Sequence, residues 1–180
     1  GAGARYLEEL RIGGGYGDAA WMDEQLGLAG NQRVGVGFIT WSLARRPELL
    51  ERSLDNAPAA VWLSFGDARP FVEDVKAKGS LLVLQVQSVA AARAAVAMGA
   101  DIVVAQGSEA GGHGHGRATL PLVPAVVDAV APVPVVAAGG IADGRGLAAA
   151  LMLGAAGVAC GTAFYAAEES LAHPAAKARL

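Results

Sequence analysis

Cysteine is nearly absent from this chain, and charge and aromatic rings are scarce. One thiol, Cys160, in 180 residues cannot close an internal disulfide, and it excludes a zinc site built from several thiolates. It fits a reducing, cytoplasmic setting. Charged residues make up 17% of the sequence and the net charge is -3, with Lys and Arg scattered, so there is no basic footprint for a nucleic acid. No basic segment followed by an apolar run and a small-residue cleavage site opens the chain, so no signal peptide is expected. A long uncharged run does occur, from Leu147 to Ala167, and it meets the length rule for a membrane span. Gly154, Gly157 and Gly161 divide it, and it reads better as a helix, a turn and a buried strand, with no membrane as partner.

What is plentiful is apolar surface, 53% of residues, enough for one domain with a substantial core across residues 1–180. Six β-rich apolar runs alternate with Ala-rich helical stretches: Val34–Thr40, Val61–Phe65, Leu81–Val86, Asp101–Gln106, Val133–Ala138 and Gly157–Ala163. Pro47 and Pro121 suit first helical turns, Ser88 suits an N-cap, and Gly79 and Gly99 suit helix stops. Strands apolar along their whole length and joined by helices predict a parallel sheet covered by helices. A doubly wound sheet would carry G-x-G-x-x-G at its first turn, but Gly35 and Gly37 supply only the first half. A (β/α)8 barrel fits better, because the unusual residues fall after strands, at Gly107–Gly116, Gly139–Gly140 and Gly161–Thr162. Six strands are too few for it, and the first two strands of the barrel are expected to be missing. Residues 11–30 have no place in the repeat and read as a helix–loop insertion near the rim.

Gly139–Gly140 and Gly161–Thr162 are candidate phosphate cradles, since backbone N–H groups at such turns can face an anion. Tight-turn glycines without a ligand are the alternative. The stretch AQGSEAGGHGHG sets His113 and His115 among glycines. Three readings are open: a metal pair, which would need ligands beyond the one further histidine, His173; a solvated loop; or glycines that admit a flat ligand beside one working imidazole. Gln85 and Gln106 end apolar strands, where an amide can bond the edge of a heterocycle. Glu109 is a candidate general acid, or an acceptor of backbone N–H bonds. Cys160 reads as a small buried side chain of the last strand, and Trp21, Trp41 and Trp62 as packing residues.

AQGSEAGGHGHG followed by PVPVVAAGGIADGRGLAAALMLGAAGVACGTAF resembles the flavin-binding half of the nitronate monooxygenases, formerly 2-nitropropane dioxygenases, over about Val34 to Ser170. The resemblance implies an FMN-dependent barrel that oxidises alkyl nitronates or nitroalkanes with O2 to carbonyl compounds and nitrite. It implies that Gln106 and Gly111, with Gly112 beside it, contact the flavin, and that Gly140 and Ala159, Cys160, Gly161 and Thr162 hold its phosphate. It makes His113 the catalytic base or the group orienting the nitronate, and gives His115 no role. Gly37 departs from the pattern, standing where many members carry a flavin-contacting asparagine. Related activities are NAD(P)H-dependent reduction of enoyl thioesters or quinones; a non-catalytic flavin-binding fragment is the alternative outside enzymes. The expected partners are a small-molecule substrate and O2, with pairing into a homodimer also compatible.

Overall fold

A computed structural model describes residues 10–13, 19–30, 32–111, 113, 116–168, 170 and 172–179. Seven strands form one sheet: β1 (Leu10–Gly13), β2 (Gly35–Ile39), β3 (Ala60–Ser64), β4 (Leu81–Val86), β5 (Ile102–Gln106), β6 (Val135–Ala138) and β7 (Gly157–Ala159). Every neighbouring pair is parallel, and the order in space is the order in sequence. Parallel crossovers are right-handed, so an order that never reverses puts the connecting helices on one face and leaves no switch point. A barrel wall is built this way, and a doubly wound sheet is not.

The two faces can be followed through the strands. Val61, Leu63, Leu82, Leu84, Val103, Ala105, Val135 and Ala137 pack under the helices. The alternate residues Ala60, Val83, Ile102, Val104, Val136 and Ala138 form a second cluster on the inner face, with Trp62, Leu81 and Ala159 against it. Because side chains alternate along a strand, Gln85 and Gln106 fall on this inner face at the C-terminal ends of β4 and β5.

The helices between the strands are α1 (Ala19–Ala29), α2 (Thr40–Leu43), α3 (Glu48–Leu54), α4 (Arg69–Ala77), α5 (Val89–Ala97), α6 (Thr119–Val130) and α7 (Gly144–Met152); α8 (Thr162–Ala166) and α9 (Pro174–Lys177) follow β7. Their ends follow the sequence signals. The Ser88 hydroxyl accepts the Ala91 N–H at 3.1 Å, and Asp143 accepts those of Arg145 and Gly146, which supplies partners for N–H groups that have none within the helix. Gly79 and Gly99, at φ +77° and +91°, stop α4 and α5. Pro121 lies in the first turn of α6, as expected, whereas Pro47 stands at the N-cap of α3. Leu122, Val123 and Val126 of α6 are fully buried, and each such side chain contributes about 1.5–3 kcal/mol, so a single Val123→Asp exchange would detach the helix.

Three expectations need correction. Residues 10–13 are a strand of the wall and Ala19–Ala29 a helix leading on to β2, so this stretch is a βα unit and not a rim insertion. The sheet accordingly has seven strands among the described residues, not six. β7 is half-buried and ends at Ala159, which leaves Cys160 half-exposed beyond the strand instead of buried within it. The uncharged run divides into the end of α7, a turn and β7, and then into α8, a second helix the sequence reading did not expect; among the described residues no helix is long and apolar enough to cross a membrane.

Candidate functional site

The loops after β2 to β7 gather at one end of the sheet, where barrels keep their chemistry. Glu109, in the loop after β5, accepts the Thr119 N–H at 2.8 and 3.0 Å and the Thr119 hydroxyl at 2.9 Å. Ala118, the N-cap of α6, makes no side-chain cap bond, so Glu109 satisfies the first turn of that helix from ten residues upstream. Burial pushes its carboxyl up, but the bonds from the Thr119 and Glu109 N–H groups and the Thr119 and Ser108 hydroxyls outweigh it and hold the group below the ordinary carboxylate range. Glu109 is therefore ionised near neutrality and is a lock for the loop, not a general acid.

Three glycines are fitted around this lock. A Cβ on Gly107 would overlap Thr119. Gly139 has φ +112°, and its Cβ would stand 2.7 Å from Thr119 Oγ1; Gly140 has φ +68°, and its Cβ would stand 3.1 Å from Glu109 Cβ. Gly139 and Gly140 thus have a packing reason to be glycine, whatever else they bind. Gly161 and Gly111 differ: a Cβ on either would meet nothing within 4 Å. Gly161 is the N-cap of α8 and Thr162 its first residue, both exposed, one strand along from Gly139 because Ala138 pairs with Ala159.

His113 stands at the other side of the same loop. Its exposed ring lies 4.7 Å from that of Phe65 and 6.3 Å, edge-on, from that of Trp41. Phe65 holds φ +59°, a left-handed conformation that costs a bulky residue about 1–3 kcal/mol and tends to persist where the surroundings demand it. Its carbonyl accepts the Trp41 N–H at 3.2 Å, tying the loop after β3 to α2. On the inner face, Gln106 Oε1 accepts Nε2 of both Gln85 and Gln87 at 2.8 Å, and Gln87 Nε2 also donates to the His113 carbonyl. Phe65, Gln85 and Gln87 line a cavity of about 270 Å³. A larger one of about 580 Å³ opens at the opposite, N-terminal ends of β2 to β4, away from these groups.

The expected site residues fall into two sets. Gln85 bonds Gln106 directly and His113 is joined to Gln106 through Gln87, while Gly139 and Gly140 sit on Glu109 and Ala110, from which the chain runs on to His113. Ala159, Cys160, Gly161 and Thr162 form the neighbouring loop. Gly112 and His115 lie outside the described residues. The sequence reading missed Gln87, Phe65 and Thr119 and mistook Trp41, 46% exposed, for a packing residue. Gln87 was detectable, since Q-V-Q at a strand end repeats the inner-face period; nothing in the sequence announces a left-handed Phe65.

The family model described as nitronate monooxygenase matches residues 23–180. The chain belongs to the nitronate monooxygenase family. It is 44% identical over 172 residues to a nitronate monooxygenase of Pseudomonas aeruginosa, covering 88% of this chain and 49% of that protein. Among solved structures it is similar to a nitroalkane oxidase of Streptomyces ansochromogenes (TM-score 0.83, 29% identity, 97% of this chain and 64% of that one). It is also similar to FabK of Thermotoga maritima (TM-score 0.79, 36% identity, 87% of this chain and 50% of that one). The chain spans between 23% and 49% of the length of the curated relatives it matches.

Proposed function

We propose that residues 1–180 are the FMN-binding barrel domain of a nitronate monooxygenase, which oxidises alkyl nitronates with O2 to carbonyl compounds and nitrite. The single observation that carries this is the placement of the His113 ring beside those of Phe65 and Trp41, on a loop bonded to the amides that line the inner face. The residues fit FMN. Gly161 leaves open space where a phosphate would approach, Gly111 leaves space beside the ring site, and the Glu109 carboxylate, which would repel an anion, is turned onto Thr119. In this reading Gly139, Gly140, Ala159, Cys160, Gly161 and Thr162 hold the phosphate through their backbone N–H groups and the Thr162 hydroxyl, and Gln85, Gln106, Gly111 and Gly112 border the flavin ring. Bound FMN supplies the redox chemistry that links nitronate to oxygen. His113 takes the α-proton of a neutral nitroalkane or bonds a nitro oxygen of the anion. Phe65 and Trp41 shelter the substrate's alkyl part from water.

The fold in this reading is a (β/α)8 barrel, with the seven-stranded sheet as an arc of the wall and its N-terminal remainder supplied by the longer protein. The protein works in the cytoplasm, as a homodimer that sedimentation would detect. Oxygen uptake and nitrite release from propionate 3-nitronate without nicotinamide test the activity; strict dependence on NAD(P)H with an enoyl thioester as acceptor would replace it.

A further inference from the structure

Gln87 lies one residue beyond β4, and none of the chemistry above uses it. Its amide nitrogen reaches two acceptors, Oε1 of Gln106 at 2.8 Å and the main-chain carbonyl of His113. A main-chain carbonyl can only accept, so the His113 contact fixes which end of the Gln87 amide is nitrogen. That nitrogen can only donate, so Gln106 must turn its oxygen toward Gln87. The same oxygen then requires nitrogen from Gln85, also at 2.8 Å. One unambiguous atom thus sets the direction of all three amides. Both lone pairs of Gln106 Oε1 are used, and its Nε2, with two N–H groups, is turned away from the relay.

Gln106 is 7% exposed and fixed at the end of a central strand. A loop hung on it through Gln87 inherits that rigidity. The loop's other anchor is the Glu109–Thr119 lock, four residues before His113. The imidazole is therefore placed by two contacts of its own loop, the Glu109 carboxylate bonded to Thr119 of α6 and the Gln87 amide just beyond β4.

We infer that Gln87 is a positioning residue: it pins the His113 main chain to the sheet and, through Gln106, fixes an outward pair of amide N–H donors on the inner face. The ligand edge recognised by that pair is an acceptor edge, a ring nitrogen or carbonyl oxygen, and this half of the inference rests on the flavin reading above. The loop-holding half does not.

Amide hydrogen exchange in the full-length protein, freed of FMN, tests the relay. Gln87→Met keeps the length of the side chain and removes both donors. Gln87→Glu puts acceptors where donors stood. Gln106→Glu keeps an acceptor at the Oε1 position and removes the outward N–H pair. The amides of Ser108, Ala110 and Thr119 should exchange about ten-fold faster in both Gln87 variants and stay within about two-fold in Gln106→Glu. FMN affinity, read from flavin fluorescence, should fall about ten-fold in all three. In the FMN-loaded protein, Gln87→Glu should turn the Gln106 oxygen outward and shift the visible flavin absorption, which a purely structural residue would leave unchanged. Unaltered exchange in both Gln87 variants overturns the inference, as does a Gln106→Glu protein that loosens as much as Gln87→Met. A wild-type protein that takes up no FMN removes the functional reading and the ligand half of the inference, while the exchange comparison still decides the loop-holding half.

Discussion

The two sides of the loop end are built from different materials. Around His113 the site is made of side chains: two aromatic rings, three amides and an imidazole, held by contacts that could be rearranged one at a time. Around Gly139, Gly140 and Gly161 it is made of backbone, and what matters is the absence of atoms. In the proposed reading the first kind of site sets which reaction occurs. The second would admit a phosphate whatever the reaction is, as similar glycine loops do in barrels with different substrates.

The largest expected effect lies on the side-chain side. General-base catalysis is worth about 10²–10⁴-fold, so His113→Ala should lower turnover of a neutral nitroalkane by roughly that factor while FMN remains bound. The nitronate is already deprotonated. Its oxidation should suffer less if the imidazole acts as a base, and equally if it orients the anion, so steady-state rates on both substrates sharpen the assignment. Near-normal rates on both would remove His113 from the mechanism.

On the backbone side the glycines should separate. Gly107→Ala puts a methyl group into Thr119, and Gly139→Ala adds a positive φ to a 2.7 Å approach, so each should cost about 2–4 kcal/mol in a denaturant melt. Gly161→Ala should change stability by less than about 0.5 kcal/mol, because its Cβ meets nothing. Gly161→Val should nonetheless release FMN, since a branched side chain fills the phosphate's approach. Gly161→Val that keeps FMN with full occupancy would erase the distinction between the two glycine loops.

The repeat of strands and helices was legible because each signal was local: apolar runs, Ser88 and Pro121 at helix starts, Gly79 and Gly99 at helix ends. The inner-face amides could be read from strand parity at Gln85 and Gln106. What could not be read depends on contacts between distant segments. β1 is four residues long and follows no clear pattern, so only pairing with β2 defines it. The aromatic wall at His113 needs Trp41 brought from α2 and Phe65 from the loop after β3, and the Glu109–Thr119 lock needs the loop after β5 to fold back onto α6. The same lock gives Gly139 and Gly140 a packing reason to be glycine, where the sequence offers a phosphate cradle or a tight turn.

The smallest effect separates the lock from the chemistry. Glu109 is ionised and hydrogen-bonded in the fold, with its carboxyl held below the ordinary range that an unfolded chain restores. A depressed folded-state value means that the stabilisation is fully present above the unfolded value, about 4.3, and is lost as pH falls through the lower folded one. Glu109→Gln removes the charge, and its amide cannot accept all the Thr119 bonds at once, so at pH 7 the variant should melt below wild type. The carboxylate is exposed, so solvent screening keeps the difference to a few tenths of a kcal/mol, about 1 at most. Asp67 and Asp143, also held low by Arg69 and Arg145, titrate in both proteins and cancel from the comparison. Thermal melts of the pair from pH 7 to pH 3 should therefore converge below about pH 4.3. A difference that widens with acid would mean that Glu109 is protonated in the fold, which would restore it as a general acid beside His113 and blur the line between the two sides of the site.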